Sequence, residues 1–269
     1  MNPSSNTPSQ QRKAVLVTGA AKRLGQEIAM QFARQGWDVA VHYGRSEREA
    51  QETVAQIQSL GVKSVAFQAD LADEQAVKNL FSQVSKQFTN LHCLVNNASI
   101  FEYDRANSNV PLTSQSLQEH MQVNLTAPIL LSQLMFEFQK INGNQSDLVP
   151  SAIQMLDQKL INLNPDYLSY TLSKSALATS VEVLAMDFAP YLRVVGLAPG
   201  ISLPSGDQTD SGFSKAHQMT PLGKSSTPSD IAKAAVFLAE SSAITGTTLY
   251  VDGGQHLLSS SRDVMFKTN

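Results

Sequence analysis

Short apolar runs alternate with longer amphipathic ones along this chain, and that alternation restricts it to a parallel sheet covered by helices. The apolar runs fall at residues 14–17, 38–42, 64–68, 92–96, 152–155, 193–197 and 248–251. Several are dense in Val, Ile or Leu, as strands buried on both faces should be. Between them, helical spacing marks residues 25–35, 48–60, 74–88, 113–139, 170–189 and 229–239. The pattern predicts an α/β fold with one doubly wound, seven-stranded parallel sheet. A length of 269 residues suits a single domain with a sizeable core, and no repeat or linker divides it.

Two connections stand apart. Residues 141–150 are polar and turn-rich and predict a surface loop leading to the fifth strand. Residues 203–221 carry Gly206, Gly212 and several Ser and Thr; they predict a long irregular segment, which in a compact domain suits a flap over a substrate. Residues 1–12 are polar and are expected to be a disordered tail, leaving 13–269 as the folded domain.

The formal net charge of −3 supplies no global field for nucleic acid or an anionic membrane, so a partner's phosphate must be held by local groups. The N-terminal stretch lacks an apolar core and does not read as a signal peptide, and no apolar run approaches the ~20 residues of a membrane span. Cys93 is the single cysteine and lies in an apolar run, where a buried thiol is expected and a disulfide within the chain is excluded. A cytoplasmic protein with a small-molecule substrate, no metal, and no nucleic-acid or membrane partner is the expectation.

The first strand runs into Thr18, Gly19, Ala20, Ala21, Lys22, Arg23, Leu24 and Gly25, and then directly into a helix. Small residues there allow a close approach by a pyrophosphate, and a helix N-terminus offers it unpaired N–H groups. A glycine turn also occurs in many strand–helix connections; its place in the first βα unit points to a dinucleotide. The second strand ends in His42, Tyr43, Gly44, Arg45 and Ser46, without the acid that would accept from a ribose 2′-hydroxyl. Arg45 suits a 2′-phosphate, hence NADPH, although a solvated loop arginine would read the same way. Asp70 and Leu71 follow the third strand, and Asn96, Asn97, Ala98 and Ser99 the fourth, at strand ends where such sheets bind ligands.

Tyr170 and Lys174 lie four residues apart on one helix face. A neighbouring cation stabilises phenolate, so the pair is expected to lower the tyrosine pKa and to relay a proton near neutral pH.

Taken with Asn124, Pro199, Gly200 and the run Val251, Asp252, Gly253, Gly254, these motifs resemble the short-chain dehydrogenase/reductase family over about residues 14–254. The resemblance implies a Rossmann-type fold, with Tyr170 as the acid and Lys174 holding the nicotinamide ribose while tuning Tyr170. It also implies that Asn124 supports a water-linked proton path and that the subunits form homotetramers.

The departures carry more information. The family usually has glycine where this chain has Arg23, and serine where it has Asp157, thirteen residues before Tyr170. A carboxylate there repels a developing alkoxide, but it suits the N–H donors of a nitrogen heterocycle. Both departures resemble the pteridine reductases, as do Arg45, Ser46, Ser99, Phe101, Tyr167, Ile201 and Ser202. That resemblance implies a pterin held between nicotinamide and Phe101, with Arg23, Ser99, Asp157, Tyr167 and Tyr170 around it. Gly44 stands where a histidine is often found, and Phe101 could equally be a loop aromatic packing on its neighbours. The implied reaction is NADPH-dependent reduction of dihydropterins; a carbonyl or 3-oxoacyl reductase and a noncatalytic NADPH sensor are the alternatives.

Overall fold

Each apolar run becomes a strand in the computed structural model, which describes residues 12–142, 148–204 and 209–268. The strands are β1 (Ala14–Val17), β2 (Asp38–Tyr43), β3 (Ser64–Gln68), β4 (Leu91–Asn96), β5 (Ser151–Met155), β6 (Arg193–Pro199) and β7 (Thr248–Val251). They form one parallel sheet in the order β3-β2-β1-β4-β5-β6-β7. The order reverses between β1 and β4, which opens a crevice at their carboxyl ends. The helices are α1 (Arg23–Arg34), α2 (Glu47–Ser59), α3 (Glu74–Gln87), α4 (Ser114–Met121), α5 (Ala127–Asn142), α6 (Leu168–Phe188), α7 (Asp210–Gln218), α8 (Pro228–Glu240) and α9 (Met265–Thr268).

Successive strand residues point to opposite faces, and each face has its own core. Val15 and Val17 of β1 pack with Ile28, Phe32, Ile57 and Ile231 from α1, α2 and α8. Leu16 packs on the other face with Leu80, Leu131 and Phe188 from α3, α5 and α6. At the end of α8, the buried Arg193 donates to the carbonyls of Leu238, Ala239 and Ile244 at 2.9, 2.7 and 3.0 Å, satisfying acceptors that a helix terminus leaves unpaired.

Two sequence expectations are corrected. The helix expected over 113–139 is broken between α4 and α5 by a π-turn, Gln122–Thr126. Pro128 has no N–H to give the Asn124 carbonyl, and its ring would crowd that carbonyl, so the helix widens there. The segment 203–221 is not wholly irregular: Thr209 caps α7 by accepting from the Gly212 N–H at 3.0 Å. Residues 205–208 lie outside the described residues, as do 143–147 of the expected surface loop and 1–11 of the expected tail. Among the described residues, no helix is long and apolar enough to cross a membrane.

Candidate active site

The glycine turn is held from behind. Thr18 Oγ1 accepts from the N–H groups of Asn97 and Ala98 at 2.9 and 3.0 Å, and Asn97 Nδ2 donates to the Thr18 carbonyl at 2.9 Å. A Cβ on Gly25 would stand 2.3 Å from the Gly19 carbonyl oxygen, and one on Gly19, whose φ is +63°, would stand 3.1 Å from Ala98. Helix α1 starts with no side-chain cap at Lys22 and no acid in its first turn, which leaves its N-terminal amides for an outside anion. Arg45 is exposed and, among the described residues, makes no hydrogen bond or ion pair; Ser46 precedes α2 without capping it. This glycine cradle, uncapped helix and unpaired cation fit a dinucleotide phosphate.

Three residues expected at the cofactor, His42, Tyr43 and Leu71, are buried. His42 is buried, and its Nδ1 accepts from the Gly19 N–H at 3.0 Å while Nε2 lies 3.2 Å from the Ala69 carbonyl. With both nitrogens used, His42 positions the turn. Tyr43 and Leu71 pack in the core, and Asp70 spends one oxygen on the Ala72 N–H at 2.9 Å. Burial lowers the His42 pKa to about 4. An unfolded histidine takes its proton near 6.5, so the stability from keeping His42 neutral is complete above that pH. It is lost as pH falls toward 4, a change of about 3 kcal/mol. Urea midpoints are expected to drop over this interval in the native protein and to drop less in a His42→Gln variant.

Tyr170 and Lys174, the expected catalytic pair, stand on the first turns of α6. The Asp104 carboxylate anchors that helix end, accepting from the Ser169 N–H at 2.9 Å and from its hydroxyl. The Tyr170 hydroxyl donates to Asp157 Oδ2 at 2.9 Å, while Asp157 Oδ1 accepts from the Lys159 N–H at 2.8 Å. Lys174 Nζ donates to the Met155 carbonyl at 2.6 Å, and burial lowers its pKa to about 8. Burial raises the Asp157 carboxyl above its ordinary value against these hydrogen bonds. The expected lowering of the Tyr170 pKa is overturned: burial and then the Asp157 charge push it well above 10. Lys174 Nζ lies 5.8 Å from the Tyr170 ring centroid and does not offset them.

Asn124 sits buried in the π-turn. Its Oδ1 accepts from Ile100 N–H at 2.8 Å and Ser99 Oγ at 3.2 Å; its Nδ2 donates to the Ile100 carbonyl at 2.9 Å and Ser173 Oγ at 3.1 Å. Those four bonds fill the side chain's capacity. The side chain thus clamps the Ser99–Phe101 loop, while Pro128 leaves the Asn124 carbonyl without its α-helical donor.

A cavity of about 450 Å³ opens over Asp157 and Tyr170. It brings together all six expected substrate residues, namely Arg23, Ser99, Phe101, Asp157, Tyr167 and Tyr170, with Leu24, Gly200 and Ser202. Phe101 stacks on Tyr167 at 4.2 Å and 15°, and stands edge-on to Tyr170 at 4.8 Å. Arg23 and Tyr167 have φ of 57° and 55°, the two described non-glycine residues with left-handed backbone. The Arg23 guanidinium donates to the Pro204 carbonyl at 2.8 Å. Gly200 leaves no room for a side chain: a Cβ would meet Ser225 Oγ at 2.5 Å. Sequence reasoning missed Lys159, Arg262, Asp263 and Met265, which also line the cavity. A lysine two residues after Asp157 was the only local signal.

Residues 19–256 match the family described as enoyl-(acyl carrier protein) reductase. A 3-oxoacyl-[acyl-carrier-protein] reductase of Staphylococcus aureus is 32% identical, with 91% of this chain and 98% of that protein covered. A 3β-hydroxysteroid dehydrogenase of Eggerthella lenta is 30% identical, covering 91% and 94%. Among solved structures, FolM alternative dihydrofolate reductase 1 from Brucella canis, complexed with NADP, is 33% identical with a TM-score of 0.85, covering 94% of this chain and 97% of that one. The same enzyme from Brucella suis, also with NADP, is 34% identical with a TM-score of 0.83, covering 92% and 96%. Fold, cofactor cradle and sequence agree: this chain belongs to the short-chain dehydrogenase/reductase family of NAD(P)H-dependent oxidoreductases.

Proposed function

We propose that the protein is an NADPH-dependent pteridine reductase that converts dihydropterins to tetrahydropterins. The observation that carries this reading is the Asp157 carboxyl, hydrogen-bonded to Tyr170 at 2.9 Å on the cavity wall. The family usually has a serine hydroxyl at that position; a pterin presents amino and ring N–H groups, and Asp157 has a second oxygen to accept from them while its carboxyl, raised by burial, carries a proton. The FolM neighbours favour the same reading.

NADPH, when bound, supplies the hydride that reduces C6 of the C6=N5 bond. Gly19, the start of α1, Arg23 and Ser99 would hold its phosphates, Arg45 and Ser46 its 2′-phosphate, Asp70 and Ala98 its adenosine portion, and Lys174 its nicotinamide ribose. Phe101 and Tyr167 offer the aromatic wall for the pterin ring. Asp157 orients the polar edge of the pterin, and the Asp157–Tyr170 pair holds the proton destined for N5. The raised carboxyl is the stronger acid of the two, and Tyr170 links it to the reacting face. Exposed Val183 and Met186 on α6 suit the homotetramer that the family resemblance implies, in a cytoplasmic enzyme.

Mixing purified protein with NADPH and dihydromonapterin, dihydrobiopterin or dihydrofolate tests the reading, and no cofactor oxidation with any of them overturns it. The second reading, a 3-oxoacyl reductase, is favoured by the Staphylococcus relative; turnover of 3-oxoacyl thioesters without turnover of pterins would establish it. For the cofactor, Arg45→Ala is expected to raise the KM for NADPH about 10–100-fold, the effect of losing a charge-assisted contact. The KM for NADH should change little, and steady-state titrations with both cofactors check this.

A further inference from the structure

Asp157, Tyr170 and Phe101 line the cavity, and another part of its wall comes from a segment with no role so far. Leu258, Ser260, Arg262, Asp263 and Met265 all line it. Two of them, Arg262 and Asp263, are held by Asp166, whose side chain is 0% exposed. Its carboxylate accepts from Arg262 Nε at 2.8 and 3.1 Å, from the Asp263 N–H at 2.8 Å, from the Tyr103 hydroxyl at 3.3 Å and from Arg105 at 3.4 Å. Burial pushes this carboxyl up, yet the donors and the two guanidiniums outweigh it and hold it below the usual carboxylate range. A buried anion with that many donors cannot lose its main cation without a large local cost.

The neighbouring contacts connect this anion to the expected substrate residues. Lys159, 6% exposed, donates from Nζ to the Asp166 carbonyl and lies 4.0 Å from the Asp263 carboxylate. The Tyr167 hydroxyl meets Met265 Sδ at 3.8 Å, and Phe266 packs edge-on against Tyr103 at 5.2 Å. Tyr167 follows Asp166 directly in the chain and stacks on Phe101.

We propose that Asp166 and Arg262 determine substrate length: their ion pair clasps residues 258–268 over the cavity and makes that segment part of its wall. Both are positioning residues, acting through the wall and through Tyr167 rather than on the reacting atoms. A short substrate is enclosed against the wall, while a long one must displace it. The clasp acts through the cavity wall and does not depend on which acceptor is reduced beside Tyr170.

The test compares the full chain, Arg262→Met, Arg262→Lys and a chain ending at Leu258, each saturated with NADPH. Substrates are dihydrobiopterin, with a short side chain, and dihydrofolate, with a long one. The ratio of kcat/KM for dihydrofolate to that for dihydrobiopterin is expected to rise about tenfold in Arg262→Met, chiefly through KM for the short substrate. Arg262→Lys should restore part of the difference, and the shortened chain should exceed the Met variant. Hydrogen exchange across residues 258–268 should rise in the Met variant. Unchanged exchange overturns the clasp whatever the substrate; raised exchange with a ratio within about twofold of the parent overturns the selection by length. If no pterin oxidises NADPH, the pterin reading fails by itself, and short- and long-chain 3-oxoacyl thioesters replace the pair. If the shortened chain does not fold, the exchange and kinetics of Arg262→Met decide.

Discussion

Replacing Tyr170 by Phe is expected to lower kcat/KM for a dihydropterin by about 10²–10⁴-fold, the range for loss of one positioned proton-transfer group. The hydroxyl is the donor at 2.9 Å to Asp157 Oδ2, and its removal takes that hydrogen bond away from the oxygen. Because burial and Asp157 hold the Tyr170 pKa far above neutrality, the variant does not lose an ionising acid. It loses the hydrogen bond that carries a proton between the carboxyl and the cavity. Single-turnover NADPH oxidation measures the drop, and a fluorescence titration with NADPH checks that the cofactor still binds.

Asp157→Asn should produce a loss of about 10²-fold or more on the same substrate, with a different pH signature. In the native protein the rate is expected to fall as pH rises through the raised pKa of Asp157; the Asn variant should lack that limb. Stability should move the other way. A carboxyl whose folded pKa is raised costs stability once pH exceeds its unfolded value, so Asn at this position is expected to stabilise the fold at neutral pH. A loss of activity with a gain in thermal midpoint separates a functional carboxyl from a structural one. Asp157→Ser, placing a neutral donor beside Tyr170, should shift the preference toward ketones.

Sheet and cofactor turn were legible because both depend on local patterns: runs of β-branched residues, and glycines where a side chain has no room. The break between α4 and α5 carried a readable sign in Pro128, but a periodic apolar stripe conceals one wide turn. Helix α7 was obscured by the glycines and hydroxyl residues around it, although Thr209 stands at its start as a cap. The errors at the site share one cause. Sequence places Tyr170 near Lys174 but says nothing of how deeply both are buried, and burial decided the direction of the Tyr170 pKa. In the same way, sequence does not report that the side chains of His42 and Asn124 are filled by hydrogen bonds within the protein. The Asp166–Arg262 clasp joins residues 96 positions apart, and no local pattern reports such a pair.

Arg23 occupies a backbone conformation that favours glycine, the residue that the family resemblance implies at this position. An L-residue held in that region costs about 1–2 kcal/mol. Design by family averaging would therefore select Arg23→Gly as a stabilising change. It would also remove the guanidinium that ties the cofactor turn to Pro204 across the mouth of the cavity. Thermostability work on this scaffold thus has a built-in conflict, because the residue that averaging marks first for replacement joins the glycine turn to the cavity wall.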